Sequence, residues 1–257
     1  MEWYLYPAVI GAGFLCGFIN TLAGSGSLIT LPLLIFLGLP ANVANGTNRV
    51  AILLQNVVGV SSFYHRKVLD FRRGLLLAIP AVLGSLVGAM IAVNLDETTM
   101  RRTIGLLMVA MLIIVVLRPR RWLEGRPALI NRNPGFFQLL IFFFIGAYGG
   151  FIQAGVGIFL LAGLVLGAGY DLVKANAVKV LIILCFTVFA LVVFLINKQV
   201  RLEIGLILAI GNMLGAWIAS KMAVEKGAAF VRWILIIVIA ASAFFLLGLS
   251  NSIRTLL

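Results

Sequence analysis

Two cations stand where the chain is otherwise apolar. Arg49 lies in Asn45-Gly46-Thr47-Asn48-Arg49-Val50, within the first third of the apolar run 43–63. Lys179 lies in Ala175-Asn176-Ala177-Val178-Lys179-Val180, at the corresponding part of the run 175–197. Charge held in hydrocarbon is costly and marks a functional candidate by default. The eight acids (Glu2, Asp70, Asp96, Glu97, Glu124, Asp171, Glu203 and Glu225) all fall in or beside loops. Either the two cations snorkel to the membrane surface, or they line a path for an anion. A cation carrier, which usually holds a buried carboxylate, is disfavoured.

A glycine break precedes each cation. Gly24-Ser25-Gly26 and Gly155-Val156-Gly157 each open a short apolar run, 27–39 and 156–168. Such a run is about 20 Å long as helix. The start of a helix exposes unpaired N–H groups and carries roughly half a positive charge, and glycine lets an oxyanion approach the backbone closely. The candidate site therefore takes Asn20, Gly24, Ser25, Gly26, Ser27, Asn45, Thr47, Asn48 and Arg49 from the first half. It takes Gln153, Gly155, Gly157, Asn176 and Lys179 from the second. Thr30 and Gln55 add further polar groups. The first break is rich in hydroxyls, whereas the second has Val156 and Ile158, so the site is expected to be asymmetric.

Other chemistry finds little support. Cys16 and Cys185 sit singly in apolar runs and have no metal-binding spacing. The one histidine, His65, is read as an interfacial loop residue, and no catalytic triad can be built around it. No metal, no cofactor and no enzymatic activity are expected.

Of the 257 residues, 63% are apolar and 11% charged. A soluble domain has about 45–50% and about 25%, so a soluble enzyme, a disordered chain and a disulfide scaffold are excluded. The balance of 20 Lys+Arg against 8 Asp+Glu gives +12, but the basic residues sit in short loops between apolar runs, which argues against nucleic-acid binding. The partners expected are a lipid bilayer and a small anion. Trp3, Tyr4 and Tyr6 read as an interfacial aromatic belt.

The runs form an ordered internal repeat. Gly17-Phe18-Ile19 recurs as Gly150-Phe151-Ile152; at an offset of 131, Gly24, Gly26, Gly38 and Ala44-Asn45 match Gly155, Gly157, Gly169 and Ala175-Asn176. Gly84–Ala89 resembles Gly211–Ala216 at another offset. The fold expected is an all-α integral membrane protein of two repeats. Each has about four transmembrane segments and a short glycine-broken half-helix. Residues 1–120 form the first repeat, 121–133 a basic cytoplasmic linker and 134–257 the second repeat. Arg66, Lys67, Arg72 and Arg73 in loop 64–73, with the arginines of 118–133, place both loops in the cytoplasm. Lys221, Lys226 and Arg232 balance Lys198, Arg201 and Arg254, so charge does not orient the second half. The short broken segments favour inverted repeats. Four Gly-x-x-x-Gly faces, starting at Gly13, Gly84, Gly146 and Gly211, are expected to bring helices together within the chain, and leave a homodimer open. Pro32 and Pro80 are candidate hinges or static kinks.

The stretch Gly17–Ser27, followed by Leu31-Pro32-Leu33-Leu34, Gly38-Leu39-Pro40 and Ala44-Asn45-Gly46-Thr47-Asn48, resembles the first half of the TauE/SafE sulfite exporter family. Gly149–Gly157 and Lys174–Lys179 resemble its weaker second repeat. The resemblance implies an inner-membrane carrier, often an exporter, of sulfur oxyanions or organosulfonates such as sulfite or sulfoacetate. It implies that the residues of the two breaks form the two halves of the site.

Overall fold

The computed structural model describes residues 5–116 and 134–246. The linker expected at 118–133 and the aromatic residues Trp3 and Tyr4 lie outside these. Among the described residues the secondary structure is helical throughout. The helices are α1 (Leu5–Leu22), α2 (Ser27–Phe36), α3 (Ala41–His65), α4 (Phe71–Val93), α5 (Glu97–Val116), α6 (Phe136–Phe151), α7 (Val156–Ala162), α8 (Leu172–Ile196) and α9 (Leu202–Leu246). A π-helical turn, Gly163–Gly167, continues α7. Gly227, with φ +73°, breaks α9 into two arms. Among the described residues, α4, α8 and Leu202–Ile234 of α9 are long and apolar enough to cross a membrane, while α1, α2, α6 and α7 with its π turn are apolar but shorter.

The two glycine breaks turn the chain back on itself. At the first, Cys16 Sγ on α1 lies 3.7 Å from Thr30 Oγ1 on α2. At the second, the rings of Tyr148 on α6 and Phe159 on α7 pack edge to face with centroids 5.4 Å apart. Further from this tip, a side chain on Gly163 would touch Phe142. Gly24 and Gly155 reverse the chain in the left-handed region, at φ +77° and +73°, where a Cβ costs roughly 1–2 kcal/mol. The first hairpin leads into the start of α3, and the second into the start of α8.

Polar contacts fix which ends of the long helices lie together. Asp70, the N-cap of α4, accepts from the Tyr170 hydroxyl just before α8 (2.7 Å). Ser220 donates to Ser62 (2.7 Å), and Arg66 pairs with Glu225 at 3.7 Å. These contacts gather the end of α3, the starts of α4 and α8, and the end of the first arm of α9 at a basic end that carries Arg66 and Lys67. At the opposite end Ala41 N–H donates to Glu97 Oε2 (2.7 Å). There Gln199 also donates to the Val93 carbonyl (2.9 Å) and Arg201 N–H to Thr47 Oγ1 (2.9 Å). Pro40 precedes α3 and brings no capping side chain. Glu97, from the start of α5, supplies the missing acceptor.

The four Gly-x-x-x-Gly faces pair within the chain, as expected. A methyl group on Gly13 or Gly17 of α1 would collide with backbone at Leu208 or Asn212 of α9, and one on Gly211 or Gly215 with backbone at Ile10 or Phe14. Gly84 and Gly88 of α4 meet Phe143 and Ala147 of α6 in the same way, and Gly146 and Gly150 meet Ala81 and Ser85. Each half's first helix thus lies along the other half's fourth segment, backbone to backbone. Where lipid offers no hydrophobic gain for helix association, such close packing is the main attraction.

Candidate functional site

The tips of the two hairpins touch. A Cβ on Gly24 would strike the α-carbon of Gly157, and one on Gly157 the α-carbon of Gly24. One glycine from each break therefore meets the other, and the candidate residues of both halves gather around them.

The two cations are fully buried, so neither snorkels. Each caps the other half's hairpin. Arg49, on α3, donates through Nη1 to the Gly149 carbonyl (3.1 Å) and to Gln153 Oε1 (3.4 Å). Its Nη2 donates to the carbonyls of Gly150 (2.6 Å) and Phe151 (3.4 Å) and to Asn45 Oδ1 (3.4 Å). Its guanidinium carbon stands 4.6 Å from the centroid of the Phe194 ring. Lys179 Nζ, on α8, donates to the carbonyls of Asn20 (2.9 Å) and Thr21 (2.8 Å) and to Asn176 Oδ1 (2.6 Å). The last carbonyls of a helix lack intrahelical partners and carry roughly half a negative charge. Here a full positive charge answers each such end without a carboxylate, which leaves the centre net positive.

The other expected residues divide into engaged and free groups. Asn45 Nδ2 donates to the Phe151 carbonyl (2.7 Å), and Asn48 Oδ1 accepts from Thr30 (2.8 Å). Asn20 Oδ1 accepts from Gly26 N–H (3.0 Å), and its Nδ2 lies 3.4 Å from Gln55 Oε1. Gln153, itself at φ +66°, donates to Thr187 (2.8 Å). Thr47 is committed to the Arg201 N–H, toward the opposite end. By contrast the hydroxyls of Ser25 and Ser27 are buried without a hydrogen-bond partner, as is Asn176 Nδ2. Thr21 Oγ1 and Arg49 Nε are in the same condition, and the Asn212 amide meets no partner but the Cys16 thiol. Buried polar groups are nearly always satisfied, so this concentration is unusual. All of these atoms except Asn212 Oδ1 can donate, whereas Asn56 Oδ1 and Gln199 Oε1, also buried without a partner, only accept.

The residues that the sequence pattern did not single out are Thr21, Thr187 and Asn212. Asn212 lies inside the Gly211-x-x-x-Gly215 face, and an amide in an otherwise apolar stretch was its available signal. His65 ends α3 with Nδ1 2.7 Å from the Ser61 carbonyl, away from the site.

A helical membrane protein with a buried, donor-rich centre belongs to the class of membrane transporters rather than to any class of soluble enzyme. The family model for Sulfite exporter TauE/SafE matches residues 9–246, and the chain belongs to that family. It is 29% identical over 248 residues to a protein of Sinorhizobium sp named probable membrane transporter protein ORF9, covering 96% of this chain and 94% of that one. A probable membrane transporter protein of Haemophilus influenzae is 27% identical over 225 residues, 88% of each chain. The probable membrane transporter protein YfcA of Escherichia coli K12 is 28% identical over 239 residues, 91% of this chain and 88% of that one. No solved structure matches.

Proposed function

We propose that the chain carries a small oxyanion outward across the inner membrane, at a site formed where the two hairpin tips meet. The substrate class is a sulfur oxyanion or organosulfonate, such as sulfite or sulfoacetate. The observation that carries this reading is the set of unpartnered buried donors on Thr21, Ser25, Ser27 and Asn176 beside a net positive centre. An anion would satisfy them, whereas a cation, though the hydroxyl oxygens could accept it, would meet the donor-only Asn176 Nδ2 and like charge.

The mechanism proposed is alternating access by two inverted repeats, 1–120 and 134–257, with loop 64–73 and the linker 121–133 in the cytoplasm. The reciprocal packing supports inversion: α1 lies along α9 and α6 along α4, and the hairpins lead into long helices that start at opposite ends. Each end carries a cavity, that at the basic end of about 420 Å³ and lined by Ser61, Ser62, His65 and Arg66, but the two ends differ at repeat-related positions. At the opposite end a cavity of about 480 Å³ is lined by Leu39, Pro40, Arg201 and Glu203. At an offset of 131, Leu39 and Arg201 correspond to Tyr170 and Asp70. At the basic end those two residues join through a hydrogen bond, and Tyr170 is buried.

The test is flux in proteoliposomes. Saturable uptake of labelled sulfite, accelerated by unlabelled sulfite on the far side, supports a carrier. Linear flux without counterflow supports an anion channel. A screen of sulfite, sulfoacetate, sulfate and small carboxylates that raises the melting temperature with none of them, together with no flux, overturns the reading, since binding to the native state must stabilise it.

A further inference from the structure

Asn212 is buried at 0% exposure, about 15 Å along α9 from Leu202. Neither its Nδ2 nor its Oδ1 has a nitrogen or oxygen hydrogen-bond partner, and the Cys16 thiol is the side chain the amide meets. The backbone at Asn212 packs on Gly17 of α1, its amide lies beside the Cys16 thiol, and the Cys16 carbonyl abuts Gly26 of the first break. Thiol sulfur is only a weak hydrogen-bond partner. Around the same sulfur stand Thr30 Oγ1 at 3.7 Å and Asn20 Nδ2 at 3.9 Å. The repeat supplies an internal control. In the match of Gly84–Ala89 to Gly211–Ala216, Ser85 is the counterpart of Asn212. Its hydroxyl is fully engaged, with the Val82 carbonyl at 2.9 Å and the Phe186 carbonyl at 3.3 Å. The same position is thus satisfied by backbone carbonyls on one side and met only by a weakly bonding thiol, with a larger amide, on the other.

We propose that Asn212 is a substrate contact and that it selects an anion carrying its own O–H group. This rests on the anion reading above. An amide held by no partner stronger than a thiol offers a donor and an acceptor side by side. A bare oxyanion could take the Nδ2 donor but would face the Oδ1 lone pairs with negative charge. An oxyanion that keeps a proton, or one with an adjacent hydroxyl, uses both: its O⁻ accepts from Nδ2 while its O–H donates to Oδ1. A monoprotonated oxyanion, rather than the dianion, is then the species bound. It also brings less charge to be desolvated in the buried site.

The test compares two probes on purified protein by calorimetric titration. Sulfite is titrated below and above its second ionisation; methanesulfonate is a monoanion with no O–H. The unmodified protein is expected to bind sulfite at least tenfold more tightly in its monoprotonated form. Asn212→Leu is expected to weaken that binding about tenfold and to change methanesulfonate binding less than twofold. The melting temperature of Asn212→Leu should hold or rise, because an unsatisfied buried amide has been replaced by an apolar group of similar size. Asn212→Ala provides the same comparison should the leucine variant fail to fold. Equal losses for both probes, an unchanged sulfite affinity in the variants, or tighter binding of the dianion would overturn the role of Asn212 while leaving the anion carrier intact. Binding of neither probe by the unmodified protein would overturn both.

Discussion

Gly24 and Gly157 lie against each other, α-carbon to α-carbon, at the point where the two hairpin tips meet. They belong to the two glycine breaks, each beside the other's repeat counterpart (Gly155 for Gly24, Gly26 for Gly157), so a pair that is 133 residues apart in sequence is brought into contact. The contact leaves no room for a side chain on either residue. It also makes each tip sensitive to the position of the other.

Alanine at either glycine should therefore be destructive, for separable reasons. Gly24→Ala adds a left-handed penalty, from φ +77°, to a collision with backbone. Gly157→Ala adds the collision alone. Overpacking costs about 1–3 kcal/mol where neighbours can yield, and backbone yields poorly. Both variants should melt several degrees lower and carry sulfite at least tenfold more slowly. Gly38, with φ +91° and open space around its Cβ position, is the control. Gly38→Ala should keep its transport and lose only the conformational term. Full transport by Gly157→Ala would show that the tips need not touch.

Arg49 and Lys179 should prove to be structural as well as electrostatic. Removal of Arg49 orphans the carbonyls of Gly149 and Gly150, while Phe151 keeps the Asn45 amide, at about 1–3 kcal/mol for each buried group left unsatisfied. Arg49→Leu is expected to reduce the yield of folded protein sharply, and Lys179→Met to do so less, since fewer carbonyls depend on it. Arg49→Lys should be intermediate, because an ammonium cannot reproduce the planar fork. Size-exclusion profiles and melting temperatures of the three variants check this order. Melting temperatures equal to that of the unmodified chain would mean that water replaces the cations at the helix ends.

Much of this arrangement was legible in the residues themselves. The glycine breaks, the buried cations and the Gly-x-x-x-Gly faces follow from hydropathy and spacing, because lipid imposes one simple rule on every segment. What spacing could not reveal was the partner of each cation. Arg49 and Lys179 read as positive groups awaiting a negative solute, since the acids are all in or beside loops. Their hydrogen bonds instead go to carbonyls at the ends of α1 and α6, and a backbone acceptor has no signature in residue type. Thr47 illustrates the same limit: it lies next to Asn48 in sequence, yet its hydroxyl serves the α8–α9 turn. Asn212 escaped notice for the opposite reason, as one amide within a glycine face that already had a packing role.

Tyr170 and Asp70 offer a handle on the basic end. Burial, then the bond to Asp70, pushes the Tyr170 hydroxyl above the usual tyrosine range. A raised tyrosine stays protonated, and keeps donating, at every pH below its ordinary value near 10. Its contribution is lost only as pH climbs through the raised value. The bond at the basic end should therefore be insensitive to titration of Tyr170 between pH 6 and 9. Tyr170→Phe removes a hydrogen bond to a carboxylate, worth about 1.5–3 kcal/mol, and should shift the balance toward opening at the basic end about tenfold or more. A cysteine placed at Leu69 in a Cys16- and Cys185-free background should then react faster with a membrane-impermeant maleimide. An unchanged reaction rate would remove Tyr170 from any gating role.

The glycine seams make the last prediction, through a contrast within one residue type. Gly84 of α4 and Gly150 of α6 each face backbone of the other helix, at Phe143 and Ser85 respectively. Gly105, in α5, has no atom within 4 Å of its Cβ position. Alanine stabilises an unobstructed helix interior by roughly 0.5–1 kcal/mol relative to glycine. Gly105→Ala should raise the melting temperature slightly and leave transport alone. Gly84→Ala and Gly150→Ala should each lower it, because the helices must separate to admit a methyl group and lose dispersion contacts along the whole seam. Since both substitutions disturb one interface, the double variant should cost less than the sum of the singles. Strict additivity would mean that α4 and α6 are not held together by this contact.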